Sequence, residues 1–401
     1  MKTPLPFRTW LYFGAQSINL TTAVMSVAMA AIVGAEIAGN DTLATLPYGV
    51  QFLTLMLATY PASRLMSRLG RRCGFMIGNA FLAAAGALGY LAVQGESFVL
   101  LAIAHGALGI YIAFANFNRF AATDGLRKGL KSRAMSLVVA GGVLAAIIGP
   151  LASSVLWNIP GYGHFALSYS LFIPLAILAT CIAMALPKSA SQPPRESADN
   201  DIATPHRLLK QRRVLLAIAV SALGYGVMNL LMIQASLHMH ALDTPFHSVN
   251  TAIQWHVLAM FLPSFFTGRL INRFGHQFIV TLGLGLLVTT ALLNVATEGW
   301  LSMALTLIVL GLGWNFTYIG GGALLAHTIG DSSRAVRLQG INDMAIAVMA
   351  TLGAFLPAVL QATIGWQTTN LITAALCAMM LLWVMLVLSR RRHGALVSGA
   401  A

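Results

Sequence analysis

Twelve long apolar runs constrain the fold of this chain more than any other feature. Each run meets or exceeds the roughly 20 apolar residues that an α-helix needs to cross the hydrocarbon core of a bilayer. With 58% hydrophobic and 9% charged residues among its 401 positions, the chain lies far from the composition of soluble domains. The pattern therefore predicts an all-α integral membrane protein with twelve transmembrane helices. The runs lie at 10–37, 43–66, 74–95, 98–120, 134–157, 165–186, 214–239, 248–271, 278–297, 300–326, 338–362 and 368–389.

A polar stretch between the sixth and seventh runs divides the chain. It contains Pro193, Pro194, Asp199 and Asp201, a composition typical of a flexible linker. The sequence therefore predicts two six-helix bundles joined by a cytoplasmic linker. The predicted boundaries are 1–186, 187–213 and 214–401.

The basic residues indicate how the runs are oriented. All 24 Lys and Arg residues lie before the first run, after the last, or in or directly beside the even-numbered connections, where Arg64, Arg119 and Arg269 are within the last three residues of their runs. Because cytoplasmic loops carry the excess of Lys and Arg, both termini are expected in the cytoplasm. This topology accounts for the net charge of +13 without a nucleic-acid partner. We expect a multi-pass membrane protein, with the lipid bilayer as its surroundings.

Two connections repeat the same pattern. The segment at 63–72 aligns with the segment at 268–277. Arg337 follows Arg133 by nearly the same number of residues as separates the two segments. Such internal repeats are typical of transporters built from two six-helix halves related by an axis along the membrane normal.

These segments resemble the GxxxDRxGRR signature of the major facilitator superfamily, and Gly149-Pro150 resembles its Gly-Pro motif. Ser67 and Asn272 stand where that signature has an acidic residue. The resemblance covers essentially the whole chain and implies two pseudo-symmetric bundles that work by alternating access.

Two residue pairs in the seventh and eighth runs carry the most specific chemistry. Met228 and Met232 form one pair, and His256 and Met260 form the other, each spaced i, i+4. On a helix this spacing places both side chains on one face. Thioether and imidazole donors suit copper(I) better than a hard cation. With a rise of about 1.5 Å per residue, the pairs lie at matching depths. Antiparallel packing of the two runs predicts a four-ligand metal site.

The sequence around these pairs resembles the CcoA-type copper importers of the major facilitator superfamily. That resemblance implies uptake of copper, as Cu(I), across the bacterial inner membrane for assembly of haem-copper (cbb3-type) cytochrome oxidase. Copper is then the transported substrate rather than a cofactor, and copper carriers on either side of the membrane are the expected partners. Closely similar transporters are assigned to riboflavin. Riboflavin or another small organic solute, a proton-coupled drug exporter and a copper sensor therefore stay as alternatives.

Further methionines and histidines extend the metal hypothesis. Met25 and Met29 repeat the i, i+4 spacing in the first run, the repeat equivalent of the seventh. They are interpreted as a metal relay or as core packing. His238 and His240 at the outer mouth would collect metal, or are solvated loop histidines.

Acidic residues near the inner surface are candidates for coupling or gating. Asp124 and Asp343 would bind protons or form gate salt bridges, with Arg133 and Arg337 as nearby partners. Structural ion pairing is the alternative for the same residues.

Amides and aromatic rings in the fourth and tenth runs would suit an organic solute by hydrogen bonding and stacking, or join neighbouring helices. These residues are Asn116, Asn118, Trp314, Asn315 and Tyr318. The sequence has no Walker motif and no nucleophile-base arrangement, so neither an enzyme nor an ATP-driven pump is predicted, and no bound cofactor is expected.

Overall fold

The computed structural model describes residues 4–38, 46–187, 211–244, 246–296, 298–329 and 333–397. Within these ranges every regular element is an α-helix. This agrees with the prediction, because a bilayer offers the backbone no water and each helix satisfies its own N–H and C=O groups. Most of the predicted linker, 187–213, lies outside the described residues, so the proposed bundle boundaries stay a prediction.

The first part of the chain forms nine helices within the described residues. Ser97 caps one of them, since its hydroxyl accepts a hydrogen bond from the Leu100 amide at 3.4 Å. The helices are α1 (Phe7–Ala38), α2 (Leu46–Leu69), α3 (Arg71–Gln94), α4 (Phe98–Ala115), α5 (Asn118–Ala121), α6 (Lys128–Val139), α7 (Gly142–Leu156), α8 (Ala166–Ser170) and α9 (Phe172–Ala185).

The second part forms longer helices. They are α10 (Arg212–Ala241), α11 (Phe246–Phe261), α12 (Ser264–Ala296), α13 (Trp300–Ile329), α14 (Ser333–Thr363) and α15 (Gly365–Val397). The predicted eighth run, 248–271, is interrupted because Pro263 lacks an amide donor and disfavours helical geometry in the residue before it. The helix α12 then includes both the end of that run and the ninth run.

Nine helical segments among the described residues are long and apolar enough to cross a membrane. The predicted first, second and eighth runs are not among them; α11, with 16 residues, is short of a full span by itself. The total of twelve spans and the cytoplasmic position of the termini therefore stay predictions. The nine segments are Arg71–Gln94, Phe98–Ala121, Gly129–Leu156, Ala166–Ala185, Arg212–Ser236, Ser264–Ala296, Trp300–Ile329, Ala335–Pro357 and Gly365–Val387.

Two glycines give the internal repeat a structural counterpart. Gly70, between α2 and α3, has φ 84° and ψ 161°. Gly275, which kinks α12, has φ 86° and ψ 160°. They hold equivalent positions in the two aligned segments, and their backbone conformation is one that residues with a Cβ rarely adopt. The same turn is therefore built twice.

The described chain packs into two compact units. The first comprises Met1–Gly125, Leu137–Asn200 and Asp331–Ala347, and the second comprises Leu126–Ser136, Asp201–Gly330 and Val348–Ala401. The start of α6 thus belongs to the second unit and the start of α14 to the first. The first unit has a continuous apolar core that includes Met25 and Met29.

Candidate functional site

The helix α13 is the centre of the second unit. The helices α10, α11 and α12 all pack extensively against it, whereas α10 and α11 touch each other at only a few points. Close approach depends on Gly311, because a Cβ there would lie 2.7 Å from the His256 carbonyl oxygen. The sequence anticipated direct packing of α10 on α11, but in the structure each of them faces α13.

The imidazole of His256 is fully buried, and among the described residues one of its two nitrogens has a hydrogen-bond partner. Its Nδ1 lies 2.7 Å from the Leu307 carbonyl oxygen of α13. Because a carbonyl only accepts, Nδ1 carries the proton and Nε2 presents its lone pair. Nε2 has no hydrogen-bond partner among the described residues. This is an acceptor that a solute donor or a soft metal ion would satisfy.

The other three predicted ligands lie on the same two helices. Met228 and Met260 are buried and Met232 is half-buried. Met260 lies beside Gly311 of α13, and Met228 follows by one turn Gly224, which lies against Thr317 of α13. Both methionines are therefore near α13, but on different flanks of that helix.

A metal ion here would depend on thioethers. Within the described ranges, no group of three or more His, Cys, Asp or Glu side chains could hold a metal ion. The set of Met228, Met232, His256 and Met260 stays a prediction, with His256 Nε2 as its one nitrogen donor.

Four aromatic rings converge where α10, α11 and α13 meet; we call them the aromatic cluster. Trp314 and Tyr318 stack at 4.7 Å between ring centroids with an interplanar angle of 14°. Tyr225 of α10 lies 5.7 Å from both, and Phe261 of α11 lies edge-on to Trp314 at 5.5 Å. The buried Trp314 indole N–H has no acceptor among the described residues. The cluster therefore offers both aromatic faces and an unused donor.

The sequence indicated Trp314 and Tyr318 as residues that would suit an organic solute, but it missed Tyr225 and Phe261. The available signal was helical spacing, since Tyr225 precedes Met228 by about one turn and Phe261 directly follows Met260. Neither position is distinctive until α13 is known to lie between the two helices.

The hydrogen bonds of Asn315 agree with the second of its two predicted roles, the joining of neighbouring helices. Its amide donates to the Met260 carbonyl and to Ser264 Oγ, both at 2.6 Å, and its oxygen accepts from Thr267 at 2.7 Å. These bonds join α13 to α11 and α12. In the first unit, the Asn116 oxygen accepts from Asn19 at 3.1 Å, while Asn118 is buried with its side-chain oxygen unbonded among the described residues.

The residues predicted as a metal relay and as metal collectors at the outer mouth lie against apolar or aromatic side chains where the structure describes them. Met25 and Met29 are fully buried in the apolar core of the first unit. His238 stacks flat on Trp366 at 4.5 Å with an interplanar angle of 3°. The side chain of His240 lies outside the described residues. The relay and metal-collection roles stay predictions.

Both candidate acids form ion pairs within the first unit. Asp124 lies 3.0 Å from the Arg71 Nε, and the buried Asp343 pairs with the buried Arg119. Sequence reasoning named Arg133 and Arg337 as partners and missed Arg71 and Arg119. Arg119 could have been noticed as a basic residue within a predicted apolar run, where charge usually requires a partner.

Comparison with known proteins agrees with this architecture. The family model of the Major Facilitator Superfamily matches residues 11–293 and 214–400. Riboflavin transporter RfnT of Brucella anthropi is 34% identical over 392 residues, covering 95% of each chain. The uncharacterized MFS-type transporter YdeG of Bacillus subtilis is 27% identical over 383 residues, covering 88% of this chain and 86% of its own.

Solved structures show the same fold at low sequence identity. The major facilitator transporter FucP in the outward conformation has a TM-score of 0.75 at 14% identity, covering 95% of this chain and 98% of its own. A bacterial homologue of the iron transporter ferroportin in an outward-facing state has a TM-score of 0.72 at 13% identity, covering 96% and 100%. At such identities the likeness extends to the fold alone.

These comparisons confirm the predicted superfamily and the expectation of a transporter rather than an enzyme. They give no support to the finer predictions of copper transport, metal binding and a role in cytochrome oxidase assembly. The chain belongs to the major facilitator superfamily and is a multi-pass secondary transporter of the plasma membrane.

Proposed function

We propose that this transporter takes up riboflavin and binds the planar flavin ring at the aromatic cluster of the second unit. The observation that carries the proposal is the buried Trp314 indole N–H, which has no partner among the described residues and lies within stacked and edge-on rings. Similarity to a riboflavin transporter over 95% of the chain supports the same solute.

The chemistry of the flavin ring complements these side chains. The ring is flat and presents carbonyl acceptors and one imide N–H donor along its edge. Trp314 of α13 supplies an unused donor, and the His256 ring, held by the Leu307 carbonyl of α13, supplies an unused acceptor at Nε2. A buried polar group without a partner costs about 1–3 kcal/mol, so a solute that bonds to both is favoured over a purely apolar one. Offset or edge-on ring contacts contribute about 0.5–1.5 kcal/mol each.

Uptake of radiolabelled riboflavin into a bacterial strain without its own flavin transporter tests the proposal. Wild type is expected to exceed the empty vector, and Trp314→Ala should lose most of that uptake at equal membrane abundance. Trp314→Phe keeps a stacking ring but removes the N–H, so the half-saturating concentration should rise about 2- to 12-fold, equivalent to one hydrogen bond of about 0.5–1.5 kcal/mol.

The matched control is Trp255→Phe. Trp255 is an exposed tryptophan on α11, directly before His256. Its replacement by Phe should leave uptake unchanged. Wild-type uptake no greater than that of the vector would contradict the proposal.

Copper uptake is the second candidate, and His256 is the observation that favours it. A buried imidazole whose Nδ1–H is held by a backbone carbonyl, with Nε2 unused, has the arrangement commonly found in metal-binding histidines. Met228 of α10 and Met260 of α11 are both buried, each near α13.

Met228→Leu and Trp314→Phe together separate the two solutes. If copper is carried, Met228→Leu and His256→Leu should both lower cellular copper accumulation, while Trp314→Phe leaves it unchanged. If riboflavin is carried, Trp314→Phe should weaken riboflavin uptake and Met228→Leu should leave it near the wild-type level. Both solutes are measured in the same cells, with membrane abundance checked for each variant.

A further inference from the structure

A second buried histidine, His105 of α4, lies at the centre of a polar chain in the first unit. Its Nδ1 is 2.9 Å from Gln51 Oε1 of α2, and its Nε2 is 2.8 Å from the Tyr169 hydroxyl of α8. Gln51 Nε2 donates to Ser26 Oγ of α1 at 3.1 Å, and Ser26 donates to the Ala23 carbonyl at 2.8 Å. The chain thus joins four helices through neutral side chains.

The direction of these bonds fixes the proton on the ring. The Gln51 amide nitrogen is occupied as a donor to Ser26, so its oxygen faces the ring and accepts from Nδ1–H. Nε2 is therefore unprotonated and accepts from the Tyr169 hydroxyl. In the neutral state of His105, both ring nitrogens therefore have a hydrogen-bond partner.

We propose that His105 is the proton-binding site that couples uptake to the proton gradient, with Nε2 receiving the proton. Protonation turns Nε2 into a donor, so the Tyr169 oxygen must accept and its own O–H must turn to another acceptor. Among the described residues, His105 is the hydrogen-bond partner of the Tyr169 hydroxyl. The present packing therefore suits the neutral ring, and proton binding favours an arrangement in which Tyr169 reaches water or another acceptor.

Tyr169 lies near the start of a helical segment that is long enough to cross the membrane. The segment Ala166–Ala185 begins after Phe165, which has φ 63°, and continues through Leu171, whose backbone is helical. The Tyr169 hydroxyl can turn about its own C–O bond without movement of this helix. Because proton binding stabilises one arrangement over the other, it shifts their populations, and this is the requirement for coupling.

The surroundings distinguish His105 from the predicted coupling acids. Asp124 and Asp343 are already paired with arginines, so proton uptake there would leave a guanidinium without its counter-charge. Tyr169 is the titratable side chain in contact with His105, and Tyr111 shares α4. The helices packed against α4 carry further titratable or charged side chains, mostly near their ends: Arg8, Tyr12 and Glu36 on α1, Tyr48, Tyr60, Arg64 and Arg68 on α2, and Arg71, Arg72, Cys73 and Tyr90 on α3.

This inference deepens the proposed riboflavin uptake, on which its transport assay rests. Purified protein in proteoliposomes is given riboflavin and a gradient of about one pH unit, acid outside, with the membrane potential clamped to zero. One proton per solute supports about tenfold accumulation, since one pH unit per proton corresponds to a factor of ten. Wild type should approach that ratio, and His105→Gln should fall to a ratio of about one while still exchanging internal for external riboflavin.

Ser26→Ala is the matched control, because it shortens the same polar chain one bond away from the imidazole and keeps both hydrogen-bond partners of the ring. It should retain gradient-driven accumulation even where stability falls. The inference is overturned if His105→Gln accumulates riboflavin like wild type, or if Ser26→Ala loses accumulation as completely as His105→Gln. Absence of riboflavin exchange in wild type would instead contradict the proposed solute.

A measurement without solute distinguishes a failure of the proton-binding proposal from a failure of the riboflavin proposal. Infrared difference spectra of protein carrying ¹³C-labelled histidine, recorded between neutral and acidic buffer, should contain an imidazolium contribution from His105 that is lost from the band in His105→Gln and kept in Ser26→Ala. Identical spectra for wild type and His105→Gln would show that His105 takes up no proton, whatever solute is carried.

Discussion

Two histidines, one in each unit, are both fully buried in helices but are bonded differently. His105 has a partner at each ring nitrogen, Gln51 and Tyr169. His256 has one partner, the Leu307 carbonyl, and its Nε2 is unbonded among the described residues. An ionisable residue in a membrane segment is costly and usually functional, but the two sites differ in what they can receive.

The number of partners decides that difference. At His105 the lone pair is already used by a hydroxyl that can turn, so the site can accept a proton, and that changes the bonding of its neighbours. At His256 the lone pair has no partner among the described residues, so the site can accept a donor from a solute or a metal ion. The same residue type therefore indicates a coupling site in one unit and a ligand site in the other.

Replacement of each histidine by leucine should give the largest difference in stability. His105→Leu removes the partner of Gln51 Oε1 and of the Tyr169 hydroxyl, and each buried group left unsatisfied costs about 1–3 kcal/mol. His256→Leu leaves only the Leu307 carbonyl, which still accepts within α13, and should cost about 1 kcal/mol. The midpoint of thermal unfolding in detergent measures both. Equal losses would mean that the two rings contribute alike and would remove the basis of the comparison.

Gly311→Ala tests whether the contact between α11 and α13 positions His256. The new Cβ would lie 2.7 Å from the His256 carbonyl oxygen and 3.0 Å from the Met260 amide nitrogen, so α11 must move. Overpacking of this kind typically costs about 1–3 kcal/mol, and riboflavin uptake should fall with it.

Gly285→Ala on α12 is the control for that variant. A Cβ at Gly285 meets no atom within 4 Å, and alanine is favoured over glycine in a helix by about 1 kcal/mol. Unfolding should shift slightly upward and uptake should be unchanged. If Gly311→Ala behaved like Gly285→Ala, the helices would not be closely packed at His256.

The sequence predicted the fold better than it predicted the site. Apolar runs of membrane-spanning length, a repeated basic segment and the Gly70 and Gly275 positions are local features, and each indicates its structure by itself. The helix breaks were partly readable, since Pro263 interrupts the eighth run for a reason that is also local.

The site could not be predicted in the same way because it depends on which helices are neighbours. His256 was recognised as a polar residue in an apolar run, and the same criterion would have found His105. The sequence placed α10 directly against α11, and only the packing revealed α13 between their functional faces, which brings Tyr225 and Phe261 to Trp314. Likewise, the partners of Asp124 and Asp343 are distant in sequence, and charge alone does not select Arg71 and Arg119 among 24 basic residues.

His256→Leu should also separate solute binding from stability. If Nε2 accepts one hydrogen bond from riboflavin, the half-saturating concentration should rise about 2- to 12-fold, equivalent to about 0.5–1.5 kcal/mol, at nearly unchanged thermal stability. Initial uptake rates over a range of riboflavin concentrations measure this. An unchanged half-saturating concentration would mean that His256 Nε2 does not contact the solute. His256 and His105 would then differ only in how their rings are packed.

A third histidine, His238, supplies the smallest expected effect because it is partly exposed. Burial lowers its pKa below the ordinary value of 6.5, and the nearby Glu298 opposes that shift. Since the folded pKa lies below the unfolded one, the fold prefers the neutral ring. The contribution to stability is present above about pH 6.5 and is lost as the pH falls through the folded pKa. His238→Phe keeps the flat contact with Trp366 but cannot titrate, so the difference in unfolding midpoint between wild type and variant should shift slightly against wild type as the buffer is acidified through that window. A difference that does not change with pH would show that the pKa of His238 is the same in the folded and the unfolded chain. The exposure of a histidine in this protein, rather than its number of partners, would then determine how readily it binds a proton.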